Sequence, residues 1–217
     1  MLFSMLESVA MLAIMLSLFR YRIGEYMHYY MLAALLLSVF SHLLWSAGGR
    51  SDYLPAGTVL LSAAAIRLRT SIGAGASLLV ACTGYLAYGT VQSLVVCTLH
   101  AAGWIDLARL GMRTGDTYLM QTCSSGLLLV LGRLQYRSGL GFTFRLRPLR
   151  WNRGDAAVLC VLGAALLLLA LLPTLVEGGA ALATVLLTTL LGVLLYTLHR
   201  EERRHVGEAV GPAREPD

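Results

Sequence analysis

The chain has 217 residues, of which 57% are hydrophobic and only 13% charged, with 17 basic residues against 12 acidic ones. A water-soluble core cannot absorb that much apolar surface, so composition argues against an ordinary soluble domain and for the bilayer as solvent. Every basic residue is an arginine, and they are not accompanied by the aromatic or groove-reading elements that a nucleic-acid-binding role needs.

Seven apolar runs follow one another: 2–19, 29–47, 54–66, 72–100, 117–134, 156–173 and 180–198. Spanning the hydrocarbon takes roughly 20 apolar residues as a helix. Backbone groups in lipid must be satisfied within the segment or in a closed barrel, and no barrel-like alternation is visible. The expected fold class is therefore all-α, a polytopic transmembrane helical bundle of seven spans in a single domain, 1–200. The first run has no basic residue before it and no small-residue cleavage site before Arg20, so it reads as a retained helix rather than a signal peptide. The third run is only 13 residues, about 20 Å of helix. Snorkelling by Arg67 and Arg69 lengthens it to about residue 68; if it does not cross, six spans remain. Gly73, Ala74, Gly75, Ala76 and Ser77 read as a close-packing stripe. Pro173, Gly178 and Gly179 mark the turn before the last run. Residues 201–217 form a short basic, disordered tail; a helix begun there would end before Pro212 and Pro216.

Counting arginines orients the bundle. With seven spans, one set of gaps holds fourteen of them, including Arg20, Arg67, Arg69, Arg200, Arg203 and the cluster Arg133, Arg137, Arg145, Arg147, Arg150 and Arg153. The opposite set holds only Arg50, Arg109 and Arg113. Short basic loops are retained in the cytoplasm, which puts the N-terminus outside and the C-terminus inside a bacterial cell membrane. With six spans the balance is thirteen against four, and everything from residue 72 onward keeps its direction. The 133–153 cluster then anchors to the anionic inner leaflet.

Polar residues inside spans are costly and so mark candidate sites. Glu7, His42, Tyr85, Tyr88, Gln92, His100 and Gln121 all fall toward the outer ends of their spans. On the fourth helix Cys82, Tyr85, Tyr88, Gly89, Gln92 and His100 share an arc of about 120°, at 100° per residue. Glu7, set among Ser4, Met11 and Ile14, is the strongest ligand-binding candidate, with His42 or His100 as its expected partner. An interfacial role at headgroup depth explains the same residues without a ligand.

No GxSxG, HExxH, Walker loop or paired carboxylates at helical spacing occur, so the chain is expected not to be an enzyme. The four cysteines lie within apolar runs and read as buried thiols. Cys97-x-x-His100 offers too few ligands for a metal, and no cofactor is expected.

Three stretches carry a resemblance: LESVAMLAIMLSLFRYRI at 6–23, GYLAYGTVQSLV at 84–95 and LQYRSGLGFTF at 134–144. They resemble the membrane-embedded N-terminal sensor segment of Gram-positive quorum-sensing histidine kinases of the GHKL type, over roughly residues 2–200. The resemblance implies detection of an extracytoplasmic small molecule, peptide or lipid and transmission to a cytoplasmic kinase. This sequence has neither a phospho-accepting histidine motif nor ATP-binding glycine boxes, so kinase activity would belong to a partner. The expected function is a non-enzymatic sensor or regulatory subunit; the alternative is a small membrane transporter or transporter subunit. Expected partners are membrane lipids and a cytoplasmic kinase or other signalling protein, with homo-oligomerisation left open.

Overall fold

Leucine- and alanine-rich runs broken only by glycine, proline and charge should form long helices joined by short turns. The computed structural model describes residues 2–21, 27–46, 54–70, 72–106, 115–139, 141–142, 164 and 180–209. Among these, every regular element is an α-helix: α1 (Leu2–Leu18), α2 (Met27–Ser46), α3 (Leu54–Thr70), α4 (Ala74–Ala101), α5 (Gly115–Ser138) and α6 (Ala180–Ala209).

Six of the seven expected runs are thus helices, and the run 156–173 lies outside the described residues apart from Ala164. Among the described residues, only α4 taken singly is long and apolar enough to cross a membrane. The apolar parts of α1, α2 and α6 are 10–17 residues long, and α5 has polar positions at both ends. Seven spans therefore do not follow from helix length and composition. Boundaries also differ from expectation. The third run continues through Arg67 and Arg69 to Thr70. Residues 135–138 extend α5 instead of opening a loop. The last helix runs on to Ala209, into the segment read as a tail.

Named contacts fix the packing. α1 and α5 run parallel, as Phe3 meets Tyr118 at one end and Arg20 lies by Gly139 at the other. α4 runs antiparallel to both. α2 and α3 form an antiparallel pair, with the Tyr29 hydroxyl donating to the Ala65 carbonyl at 3.0 Å. α6 lies along α4, Cys97 Sγ being 3.7 Å from Thr184 Oγ1. The starts of α1, α5 and α6 therefore share one end of the bundle with the end of α4, here the Glu7 end. The opposite, arginine end carries Arg20, Arg67, Arg69, Arg133, Arg137, Arg200 and Arg203.

Two kinds of close approach hold the centre. A Cβ on Gly84 would sit 2.0 Å from Met15 Cγ and 2.8 Å from Met15 Cα, so only glycine lets α4 cross α1 there. At the arginine end α1 closes in a Schellman pattern, Arg20 N–H to Ser17 O at 3.1 Å and Tyr21 N–H to Leu16 O at 3.0 Å. Arg20 occupies the left-handed position (φ 54°) that glycine usually takes. Its aliphatic stem fills space left by Gly141, where a Cβ would lie 2.7 Å from Arg20 Cγ. Phe142 N–H then caps Leu18 O at 2.8 Å, and the Phe142 ring meets Phe19 at 5.5 Å.

Small hydroxyls are buried beside the apolar core, and large apolar side chains are exposed on the flanks. Ser17, Ser62, Thr83, Ser124 and Ser125 are fully buried, while Leu36, Leu60 and Val185 are 59%, 60% and 61% exposed. Buried hydroxyls mostly bond within their own helix, as Thr83 does to Leu79 O at 2.7 Å.

Gly84→Ala is expected to lower the stability of the purified protein by roughly 1–3 kcal/mol, because the added methyl meets backbone. Gly126→Ala, where a Cβ meets nothing within 4 Å, is expected to be neutral or stabilising, by up to about 1 kcal/mol. Thermal unfolding of both variants in detergent checks the contrast.

Candidate functional site

A carboxylate amid apolar helices needs partners for both oxygens, and the long polar side chains of neighbouring helices are the only ones within reach. Glu7 stands in the second turn of α1, on the side where α4 and α5 pack. Tyr88 and Gln92, four residues apart and so on one face of α4, both reach it. The Tyr88 hydroxyl and Gln92 Nε2 donate to Glu7 Oε1, the latter at 3.3 Å. From α5, Gln121 Nε2 donates to Glu7 Oε2 at 3.0 Å. Gln92 Nε2 also lies 4.0 Å from Met120 Sδ.

Aromatic groups surround this cluster. The Tyr85 ring packs on that of Tyr88 at 5.8 Å. One turn nearer the end of the bundle, Phe3 and Tyr118 stack at 4.7 Å and cover the site from outside. Phe3 precedes Glu7 by four residues and Tyr118 precedes Gln121 by three, so the stacked pair repeats the α1–α5 contact one turn higher.

All three donors to Glu7 are neutral. Among the described residues no arginine or histidine pairs with it, contrary to the partnership expected with His42 or His100. His42 is exposed on α2, away from the α1–α4–α5 junction. His100 lies two turns beyond Gln92, its Nδ1 3.2 Å from the Ile105 carbonyl; it buttresses the turn that ends α4. Gly103 (φ 74°) completes that turn, with Trp104 N–H to Leu99 O at 2.9 Å. Of the seven expected ligand-binding residues, Glu7, Tyr88, Gln92 and Gln121 meet, Tyr85 adjoins them, and His42 and His100 do not.

The Cys97-x-x-His100 pair is split, its thiol toward α6 and its imidazole toward the turn. No group of three histidine, cysteine or acidic side chains forms among the described residues. Arg133 and Arg137 are exposed on the last turns of α5, whereas Arg145, Arg147, Arg150 and Arg153 lie outside the described residues.

Sequence reasoning missed Phe3, Tyr118 and Met120. Their spacing from Glu7 and Gln121 was available, but it acquires meaning only once α1 and α5 are known to be parallel neighbours. Compared with family models, curated proteins and solved structures, the chain matches none.

Chemically, the arrangement is a carboxylate held in place by one hydroxyl and two amides, with acceptor capacity to spare. Glu7→Ala strands three donors and is expected to cost roughly 1–3 kcal/mol. Glu7→Gln is expected to cost less, since the Gln121 amide can turn to offer its oxygen. Thermal unfolding of the two variants separates these outcomes.

Proposed function

We propose that the chain is a non-enzymatic integral membrane sensor or regulatory subunit that recognises an extracytoplasmic ligand at the Glu7 cluster. The carrying observation is the Glu7 carboxylate itself, met by three neutral donors from two other helices. A purely structural clasp between helices is made equally well by an amide. A carboxylate without a cationic partner is costlier, and that cost is explained by a ligand that uses the charge or its donors.

Sidedness supports the bilayer reading. The described arginines gather at one end, and the Glu7 cluster lies at the other. Positive residues are retained inside, so the Glu7 end faces outward, with the N-terminus outside and the C-terminus inside. The exposed leucines and valines of the flanks are suited to lipid, and the buried hydroxyls to helix–helix contacts. α5 ends at the arginine end while α6 begins at the Glu7 end, an arrangement that calls for one further crossing between them. A seven-span bundle supplies it with 156–173.

In this reading the ligand competes for Glu7, Tyr88, Gln92 or Gln121 and alters the packing of α1 against α4 and α5. The change reaches the arginine end through α5 and α6, where a cytoplasmic kinase or other signalling protein reads it. The resemblance to membrane-embedded sensor segments of quorum-sensing histidine kinases supports the same division of labour.

Two experiments test the proposal. In a cysteine-free background, Asp116→Cys is expected to react with an impermeant maleimide in intact cells, and Arg137→Cys only after lysis; the reverse pattern overturns the orientation. Glu7→Gln and Gln92→Ala are expected to abolish ligand response while the protein still folds. Unchanged response in both removes the site, and solute uptake into proteoliposomes that vanishes with Gln92→Ala makes the chain a transporter instead.

A further inference from the structure

A second feature lies away from the Glu7 cluster, toward the arginine end. An open groove of about 500 Å³ runs between α1, α4, α5 and α6, walled by Ile14, Leu18, Val91, Leu131, Leu191 and Leu195. This is within the roughly 300–1,000 Å³ range of small-molecule sites. Its wall is almost wholly apolar. Thr90 borders it, but its hydroxyl is spent on Leu86 O at 2.8 Å.

Polarity appears only at one rim. Gln135 and Ser138 border the groove there. The guanidinium of Arg20 lies beside them, its Nη2 3.4 Å from where a Cβ on Gly139 would be. Across the groove, α6 carries His199 and Arg203 four and eight residues beyond Leu195, with Arg203 Nε donating to His199 Nε2 at 3.0 Å. Leu134 in the groove wall and Tyr196, next to Leu195 on α6, are 57% and 67% exposed.

We infer that the groove holds an acyl chain of an anionic phospholipid, with the lipid phosphate at the rim formed by Arg20, Gln135 and Arg203. The inference rests on the chain being a membrane bundle. A hydrocarbon chain makes dispersion contacts along the whole of such an apolar lining. Lipid tails are as apolar as leucine, so the lining does not choose between lipids. Choice falls to the rim, where guanidinium groups suit phosphate geometrically and electrically. A zwitterionic headgroup brings its own cation to that rim and loses the advantage.

Native mass spectrometry of the full-length protein, equilibrated in detergent with equal phosphatidylglycerol and phosphatidylcholine, tests this. One phosphatidylglycerol per chain is expected to be retained, preferred by about fivefold or more. Leu191→Trp and, separately, Leu195→Trp fill the groove and are expected to lose the lipid. Arg20→Gln combined with Arg203→Gln is expected to keep a lipid but bring the two headgroups near parity, and this arm decides should the tryptophan variants fail to fold. Equal retention of both lipids by the unaltered protein overturns the proposal, as does undiminished retention by the groove-filled variants. Ready cross-linking of Cys160 to Leu195→Cys also overturns it, since the chain would then fill its own groove. Extraction of the protein from membranes by alkaline carbonate would instead sink the bilayer reading, whereas a protein that stays in the membrane yet shows no headgroup preference sinks only this inference.

Discussion

The Glu7 carboxylate is satisfied by groups from other helices. Tyr88 and Gln92 come from α4 and Gln121 from α5, so three helices converge on one side chain. That convergence sets how α1 lies between its neighbours. With α4 antiparallel and α5 parallel to it, Glu7 is level with Tyr88 on one side and Gln121 on the other. Met15, eight residues on, then crosses α4 where Gly84 leaves room. Ser17 reaches the level of Gly132, a Cβ on which would stand 3.4 Å from its Oγ.

The far end of α1 is held by different means. Its last turn closes on itself through Arg20 and is capped by Phe142 from the segment after α5. Holding a non-glycine residue at positive φ costs on the order of 1 kcal/mol. Packing of the Arg20 stem against Gly141, with the guanidinium beside Gly139, gives a physical reason for an arginine there. One helix is thus pinned polar at one end and by backbone closure at the other, with a glycine crossing between. The same arrangement separates the aromatic-covered carboxylate at one end of the bundle from the guanidinium groups at the other.

Much of this was legible in the residues. Apolar runs located the six described helices, although α5 and α6 run four and eleven residues past their expected ends, and cost arguments about polar groups in apolar runs singled out Glu7, Tyr88, Gln92 and Gln121. Helix ends were less legible. α5 continues through Tyr136 and Arg137 because nothing before Gly139 breaks a helix, although charge there suggested a loop. Histidine as the partner of Glu7 followed from charge complementarity alone; His42 failed because α2 packs on α1 and α3, and His100 because it lies two turns beyond Gln92 and meets the Ile105 carbonyl instead. The parallel pairing of α1 with α5 was not legible at all, since sequence neighbours in a bundle are expected to be antiparallel and these two are far apart in the chain. Phe3 and Tyr118 were overlooked for that reason, and the groove above Arg20 as well, since it exists only between helices whose adjacency the residues do not declare.

The most direct test of the three-helix junction is a double-mutant cycle between Glu7→Ala and Gln121→Leu, read by unfolding in detergent. Side chains in direct contact should couple by about 0.5–3 kcal/mol, so the double variant is expected to lose clearly less than the two single losses combined. Glu7→Ala with His42→Leu is expected to be additive. Additivity of the Glu7 and Gln121 losses within about 0.5 kcal/mol would mean that α1 and α5 do not meet at this carboxylate, and the account built on it would fail.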